Sequence, residues 1–399
     1  MPTTKSQLLN NLNTNFGRLK PVGIREFDYK ASAIPGIIKL TLGEPDFNVP
    51  GVMKKVAIDS IEKNDSHYAP QMGKPELLEA ISKYVERTRG VKYDPESEIV
   101  VTVGATEALA STLFALLNTG DKVIIPTPVF ALYFPLVAMT GATPIQVDTS
   151  ADGFVLTPER LEEVLQKEGH GARAVLLNYP SNPTGREYPQ ETLEGLAKVM
   201  TKHHLYAIAD EIYSDLVYGV EHYSLTSMIP ERTIFISGLS KSHAMTGYRL
   251  GYVAGPQEIM GSIGKMHAFL VTTVTDNVQA AAVEALNNGQ EDPVEFRKTY
   301  EKRRDFVTAG LRDLGFEMST PEGAFYIFAK IPAGYNQDSF AFLKDFAQKK
   351  AVAFIPGAAF GQYGEGYVRL SYAAGMDTIK EAMKRLKEYM EEYAEIHHK

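Results

Sequence analysis

Residues 240 and 241, Ser-Lys, stand at the exit of an apolar run, 233–237, that reads as a buried strand. A lysine drawn out of bulk water gives up its proton readily, and the free amine can form a Schiff base. Arg249 follows eight residues later, where the next apolar run, 250–254, begins. Its planar fork suits a phosphate. Asp210 stands directly after a third run, 206–209, with Tyr213 three residues on. A carboxylate at a buried strand end needs a positive partner, and a protonated ring nitrogen is one. A helical turn there would bring Asp210 and Tyr213 to one side. Asn182 lies in the loop 178–185, Asn-Tyr-Pro-Ser-Asn-Pro-Thr-Gly. Its prolines stiffen that loop, so presenting the amide to a ligand loses less entropy. Gly104-Ala105-Thr106 lies between a strand and a helix start, where free N–H groups and the helix dipole attract an anion. Phe130 can stack on a planar ring. Arg369 sits in the strand-like segment 367–373; buried there it needs an anion, and a substrate carboxylate bound bidentately would serve.

Each residue alone has an ordinary alternative. Ser240-Lys241 fits a surface loop, and Gly104-Ala105-Thr106 a tight turn with a helix-capping threonine. The prolines around Asn182 fit a simple turn, though they leave the asparagine unexplained. Asp210 can cap a helix, Phe130 can fill a core, and Arg369 can join a structural ion pair. What separates the readings is convergence. A lysine amine, a carboxylate for a ring nitrogen and a phosphate clamp are together what pyridoxal 5′-phosphate requires. They fall at the edges of apolar runs, where open α/β sheets bind ligands.

The elements that must hold them follow from the pattern. Seven apolar runs read as strands, at 99–103, 122–125, 143–147, 174–178, 206–209, 233–237 and 250–254. Helical stretches such as 107–117 and 190–203 separate several of them, which predicts a largely parallel sheet covered on both faces. The last two runs are too close for a crossover helix, so one strand should be antiparallel. Upstream, the sequence predicts an amphipathic arm and short helix over 5–30, a strand at 37–42 and a helix over Pro75–Arg89. Downstream it predicts helix from 258 to 286 and from 294 to 314. Strands at 323–331, 351–356 and 367–373 and a final helix over 377–393 follow. The expected organisation is an N-terminal arm joined to the small domain (1–45), a large cofactor-binding domain (46–290) and a small α+β domain (291–399). The tail His397-His398-Lys399 reads as solvated.

Composition narrows the function classes. The chain has 399 residues, of which 44% are hydrophobic and 23% charged, an ordinary globular profile long enough for about two domains. A net charge of −8 argues against a nucleic-acid or anionic-membrane surface. With no cysteine, disulfides, thiolate metal sites and cysteine nucleophiles are excluded, and a reducing compartment fits. The polar first residues lack the apolar stretch of a signal peptide, so a cytoplasmic location is expected. No HExxH, P-loop, GxSxG or dinucleotide GxGxxG is present, and the nine histidines lack metal-ligand spacing.

Taken in order, Gly-Ala-Thr, an aromatic, the asparagine of Asn-Pro-Thr-Gly, Asp with Tyr at +3, Ser-Lys with Arg at +8 and a late Arg resemble one known pattern. It is that of the fold-type I, class I/II pyridoxal-phosphate aminotransferases, and it runs from Leu42-Gly43-Glu44-Pro45-Asp46 to Tyr367-Val368-Arg369-Leu370-Ser371. In detail the sequence looks most like bacterial aromatic amino acid and N-acetyl-L,L-diaminopimelate aminotransferases. The resemblance implies a seven-stranded, mostly parallel sheet sandwiched by helices, plus a smaller α+β domain. It implies that Lys241 holds the cofactor, Asp210 pairs with its ring nitrogen, and Tyr213 and Asn182 bond its 3′-oxygen. Phe130 would stack on the ring. Ala105, Thr106, Ser240 and Arg249 would hold the phosphate. Where some members carry a phosphate-binding serine three residues before the lysine, this chain has Gly238, so Ser240 takes that role, with Ser237 as the alternative. Tyr68 would reach the phosphate in the neighbouring subunit of a homodimer. Arg369, Asn182 and the Gly43 backbone would bind the substrate α-carboxylate.

The implied reaction is ping-pong transfer of an amino group from an L-amino acid, aromatic favoured, to a 2-oxo acid such as 2-oxoglutarate. An N-acetyl-L,L-diaminopimelate aminotransferase and a C–S β-lyase are the alternatives. A cofactor-binding transcription regulator would need a DNA-binding module ahead of residue 30. Candidates for the side-chain pocket are Ile24, Phe27, Tyr68, Tyr326 and Phe360, with core packing as their ordinary fate; Arg25 can serve a distal carboxylate or a solvent ion pair.

Overall fold

The seven apolar runs become seven paired strands. The computed structural model describes residues 23–397 together with Leu8 and Leu19, the side chains of Arg25 and His397 excepted. The expected arm before residue 23, the role of Arg25 and the histidine tail therefore fall outside the described residues. In chain order the strands are β1 (Ile38–Lys39), β2 (Ile99–Thr102), β3 (Lys122–Thr127), β4 (Thr143–Asp148), β5 (Ala172–Asn178), β6 (Tyr206–Asp210), β7 (Thr233–Gly238) and β8 (Gly251–Ala254). Then come β9 (Tyr326–Lys330), β10 (Val352–Ala353), β11 (Ile355–Pro356) and β12 (Tyr367–Ser371).

The main sheet has the order β2-β8-β7-β6-β5-β3-β4. Its pairs are parallel except for β8, which runs against both β7 and β2. Strands β2, β7 and β8 are buried along their whole length, which is why they read as unbroken apolar runs rather than alternating ones. The chain steps from β3 outward to β4, then restarts at β5 on the other side of β3 and proceeds to β8. The sheet order thus reverses between β3 and β5, and the crevice beyond their carboxyl ends is where such folds bind ligands.

Local chemistry fits these elements. The helix Pro75–Arg89 opens on Pro75, as anticipated, and Gly90 closes it in the left-handed conformation. Other boundaries differ. The helix after β2 starts at Gly104, not 107, so Gly104-Ala105-Thr106 is its first turn rather than a linking turn, and Val103 is the N-cap. Glu107 makes this possible by accepting the Val103 N–H at 2.8 Å, in the manner of a capping box. The expected continuous helix over 258–286 is two helices, Gln257–Val271 and Asp276–Asn288, because Thr272 takes φ +66 and breaks the hydrogen-bond ladder. The expected strand at 351–356 is also two pieces: β10 pairs with β1, and β11 with β12.

The C-terminal elements form a second layer. The sheet β11-β12-β9 is antiparallel and packs with the helices Asp292–Asp313, Ser339–Lys350 and Met376–His397 in one apolar cluster. Phe27, Ala31 and Leu40 from the N-terminal side belong to that cluster, and so do Tyr213 and Leu216, just beyond β6. No helix among the described residues is long and apolar enough to cross a membrane.

One close approach positions the site. A Cβ on Gly251, the first residue of β8, would lie 2.5 Å from the Ala105 backbone nitrogen. Only glycine lets β8 run this close under the start of the helix Gly104–Leu116. Gly251→Ala is expected to destabilise the protein by about 1–3 kcal/mol, the range for overpacking against a backbone that cannot yield. Urea denaturation of wild type and variant measures the difference.

Candidate active site

Parallel strands share a direction, so β3, β5, β6 and β7 end on one edge of the main sheet. Strand β2, antiparallel to β8, ends there too, and β8 begins there. That edge therefore receives Gly104 after β2, Phe130 after β3, Asn178 at the end of β5, Asp210 at the end of β6, Lys241 after β7 and Arg249 before β8. Asn178 and Asp210 are register partners, and Gly251 is partnered by Thr102 on one side and Gly238 on the other. Phe130, Asn178, Asp210, Lys241 and Arg249 open on one cavity of about 570 Å³. Ala105, Thr106, Phe130, Asn182, Asp210, Tyr213, Ser240, Lys241, Arg249 and Arg369 line it with Gly43 and Tyr326.

Lys241 is partly buried. Its Nζ donates to the Gly43 carbonyl and lies 5.7 Å from the Tyr213 ring centre and 5.9 Å from that of Phe325. Burial brings its pKa down to about 8, against the opposing pull of Glu44 and with help from Arg249. The amine is thus poised for the neutral form near physiological pH.

Asp210 is buried. The Tyr133 hydroxyl donates to its Oδ2 at 2.7 Å and the Ile212 N–H to its Oδ1 at 3.2 Å. Loss of hydration outweighs both bonds and raises its pKa to about 6. Its backbone is held as well: its carbonyl accepts from the Asn178 side chain at 3.0 Å and from the Tyr179 N–H at 3.2 Å. The expected helical turn to Tyr213 is absent. Residues 212–215 are tight turns, and the Tyr213 hydroxyl meets that of Tyr326 at 2.8 Å.

Arg369 arrives from the other layer, on β12, and is 2% exposed. One arm donates to Asn182 Oδ1 at 3.1 Å and another to the Thr41 carbonyl. Its guanidinium lies between the Tyr326 and Phe360 rings, 4.6 and 5.0 Å from their centres. These partners are neutral, and its Nε has no partner among the described residues. A cation so buried, with an unpaired N–H at a cavity wall, is set up for an anion.

The opposite corner also favours an anion. The first-turn N–H groups of the helix Gly104–Leu116 have no carbonyl four residues back. Ser240 and Arg249 lie beside them, and Arg249 packs so closely that a Cβ on Gly104 would lie 2.6 Å from its Nη2. Arg249 holds φ +55, uncommon for a side chain of its size, and its Nη1 donates to the Thr246 carbonyl at 2.9 Å. Ser240 lines the cavity, whereas the Ser237 hydroxyl reaches the Glu211 carbonyl at 3.5 Å and is not in the lining.

Not every candidate joins the cavity. Tyr68 is 86% exposed and away from the lining of this chain's cavity. Of the side-chain pocket candidates, Ile24 and Tyr326 line the cavity. Phe27 lines a separate hollow with Phe340, and Phe360 lies behind Arg369, fully buried. Two residues went unnoticed in the sequence. Tyr133 holds Asp210 from 77 positions away, and the Thr41 carbonyl holds Arg369 from 328 positions away. Tyr133 lies three residues after Phe130, one helical turn, which is the only local signal for it.

Known proteins share this architecture. The family model for aminotransferase class I and II matches residues 35–386. A probable N-acetyl-LL-diaminopimelate aminotransferase of Bacillus subtilis (strain 168) is 39% identical over 94% of this chain and 94% of its own length. Aromatic-amino-acid aminotransferase 2 of Thermococcus litoralis is 36% identical over 96% of this chain and 98% of its own. The solved structure of the aspartate aminotransferase from Thermus thermophilus with maleate superposes with a TM-score of 0.90 at 34% identity, covering 94% of this chain and 99% of that one. Matched across most of its length in both sequence and fold, the chain belongs to the class I and II aminotransferases, fold-type I enzymes that depend on pyridoxal 5′-phosphate.

Proposed function

We propose that this aminotransferase takes its amino group from an L-amino acid, aromatic side chains favoured, and passes it to a 2-oxo acid such as 2-oxoglutarate by a ping-pong mechanism. The observation that carries the reading is the convergence of three cations in one cavity, each in different surroundings: Lys241, Arg249 and Arg369. The residues fit the cofactor. A desolvated amine suits its carbonyl, and the buried Asp210 carboxylate suits its protonated ring nitrogen. A helix start with an arginine beside it suits its phosphate.

When bound, pyridoxal 5′-phosphate supplies a conjugated ring that accepts the electrons left at the substrate α-carbon. Lys241 Nζ anchors it, then takes the α-proton as general base and returns it as acid. Asp210 keeps the ring nitrogen charged, and Tyr133 keeps Asp210 in place. Tyr213 and Asn182 hold the 3′-oxygen, and Phe130 covers the ring. Ala105 and Thr106 N–H groups, the Ser240 hydroxyl and Arg249 hold the phosphate; the cavity-facing position of Ser240 favours it over Ser237. Arg369, Asn182 and the Gly43 backbone bind the substrate α-carboxylate. The exposed Tyr68 serves a homodimer, reaching from one protomer into its partner's phosphate site.

The donor preference rests on Ile24, Tyr29 and Tyr326 along the cavity wall. The diaminopimelate-named relative at 39% identity supports the second reading, an N-acetyl-L,L-diaminopimelate donor. The proposal includes a cytoplasmic location, supported by the lack of cysteine. It also includes the division 1–45, 46–290 and 291–399, supported by the separate apolar cluster around β9, β11 and β12.

Lys241→Ala is expected to lower the transfer rate by about 10²–10⁴ or more, since it removes both general base and covalent anchor; Asp210→Ala should also be strongly impaired. Oxo acid formation at the wild-type rate by either variant contradicts the assignment. The second expectation concerns pH. An amine is a nucleophile only when neutral, so recombination of apoprotein with cofactor should accelerate by about tenfold per pH unit below pH 8 and level off above it. Stopped-flow absorbance from pH 6 to 10 reads this, and a rate independent of pH there would contradict a low Lys241 pKa. Third, a panel of amino donors with 2-oxoglutarate should give the fastest oxo acid formation with phenylalanine or tyrosine. Preference for N-acetyl-L,L-diaminopimelate would replace the aromatic assignment, and pyruvate with ammonia and thiol would mark a β-lyase.

A further inference from the structure

Behind the strand ends that carry Asn178 and Asp210 lies a second, closed set of charges. Glu211, the residue after Asp210, is fully buried and accepts from Arg89 Nε at 2.9 Å and the Tyr179 hydroxyl at 3.0 Å. The Ser224 hydroxyl donates to it at 2.5 Å, and His222 Nε2 lies 2.8 Å from its Oε2. The other ring nitrogen of His222, Nδ1, lies 2.9 Å from Glu187 Oε1. Glu187 leaves the loop that carries Asn182 and is buried too. The His222 side chain is 8% exposed and stacks on Tyr179, ring centres 5.5 Å apart.

Geometry decides the protonation of His222. Both nitrogens face carboxylates, and an ionised carboxylate only accepts hydrogen bonds, so beside ionised Glu187 and Glu211 both nitrogens carry protons. The imidazolium with Arg89 then balances Glu187 and Glu211, two charges against two. A neutral ring would leave one ionised carboxylate facing a lone pair, or would need Glu187, whose carboxyl pKa burial pushes up, to hold the proton in its place. The groups facing His222 are Glu187 from the loop, Glu211 from the strand exit and the Tyr179 ring. Arg89, from the helix Pro75–Arg89, meets Glu211 at the same oxygen as His222, Oε2, with Tyr84 and Asp215 forming a neighbouring pair. Glu322, from the segment before β9, accepts the Glu187 N–H and pairs with Arg186. On its own segment, Glu221 and Tyr223 pair with each other in solvent.

We propose that His222 is a positioning residue: as a buried imidazolium it ties the loop carrying Asn182 to the strand exit carrying Asp210, and so holds the cofactor cradle in register. None of its atoms lines the cavity. Burial between the two carboxylates agrees, since they outweigh desolvation and raise its pKa to about 9, while Glu211 is held down at about 2. The sign follows. A group whose pKa rises from 6.5 to about 9 on folding stabilises fully below pH 6.5, and that stabilisation is lost as pH climbs to 9.

The role of the tie rests on the reading of Asn182 and Asp210 as cofactor contacts; the protonation does not. Three measurements test it. In ¹⁵N-histidine spectra of the apoprotein at pH 7.5, both His222 nitrogens should be protonated; a neutral ring overturns the proposal. The unfolding midpoint of wild type should fall between pH 6.5 and 9 more steeply than that of His222→Gln, and parallel profiles overturn it. Cofactor affinity of His222→Gln should drop by about tenfold, the scale on which supporting partners act at other sites. Glu187→Gln/His222→Gln, which removes one carboxylate with the cation, should recover most of that loss. Unchanged affinity in the single variant, or no recovery in the double, overturns the positioning role. If the single variant does not fold, the double variant compared with wild type carries the affinity test: affinity close to wild type supports charge balance, and a loss of tenfold or more overturns it. An Asp210→Ala protein that binds cofactor like wild type would instead break the reading of the cradle itself.

Discussion

Removal of charge from water at one sheet edge is the constraint on which the rest of this molecule depends. Lys241, Asp210 and Arg369 are each drawn out of solvent, and each is shifted toward its neutral form by that burial. Such groups persist in a stable fold only where dipoles and hydrogen bonds are already aimed at them. Here the aim comes from the backbone: the Gly43 carbonyl toward Lys241, the Ile212 N–H toward Asp210 and the Thr41 carbonyl toward Arg369. A site held by main chain is rigid, because moving it means moving a strand or its exit.

The sheet supplies that main chain through its order. Reversal between β3 and β5 opens the crevice, and inversion of β8 returns the chain to the same edge, so that Lys241 and Arg249 lie on either side of one short excursion. Glycine at 238 and 251 lets β7, β8 and the helix start at Gly104 approach to backbone contact. The second layer then closes the cavity from above, with Arg369 on β12 reaching across to Asn182. Beneath the edge, the paired charges of Arg89, Glu187, Glu211 and His222 keep the strand exits from drifting apart.

Much of this was legible before folding. Strands buried on both faces must be apolar throughout, so runs such as β2, β7 and β8 stood out by composition, and chemistry-bearing residues at the strand ends stood out by contrast. Lys241, Asp210, Asn182 and Arg249 came from that contrast and Arg369 from its place inside a late apolar strand, and the structure brings all five to one cavity. Boundaries were less legible. The helix start at Gly104 depends on Glu107 reaching back to Val103, and the break at Thr272 on a backbone angle that its residue type disfavours.

The sequence by itself determined which residues could do chemistry and the local elements that carry them, because apolar period and turn chemistry act over a few residues. Only the tertiary structure decided which groups meet. Tyr133 reaches Asp210, Thr41 reaches Arg369, and His222 finds two carboxylates 35 and 11 positions away. Hydrogen bonds of this kind act over about 3 Å between atoms far apart in the chain. No periodicity records them, since they exist only once the sheet has placed its strand ends side by side.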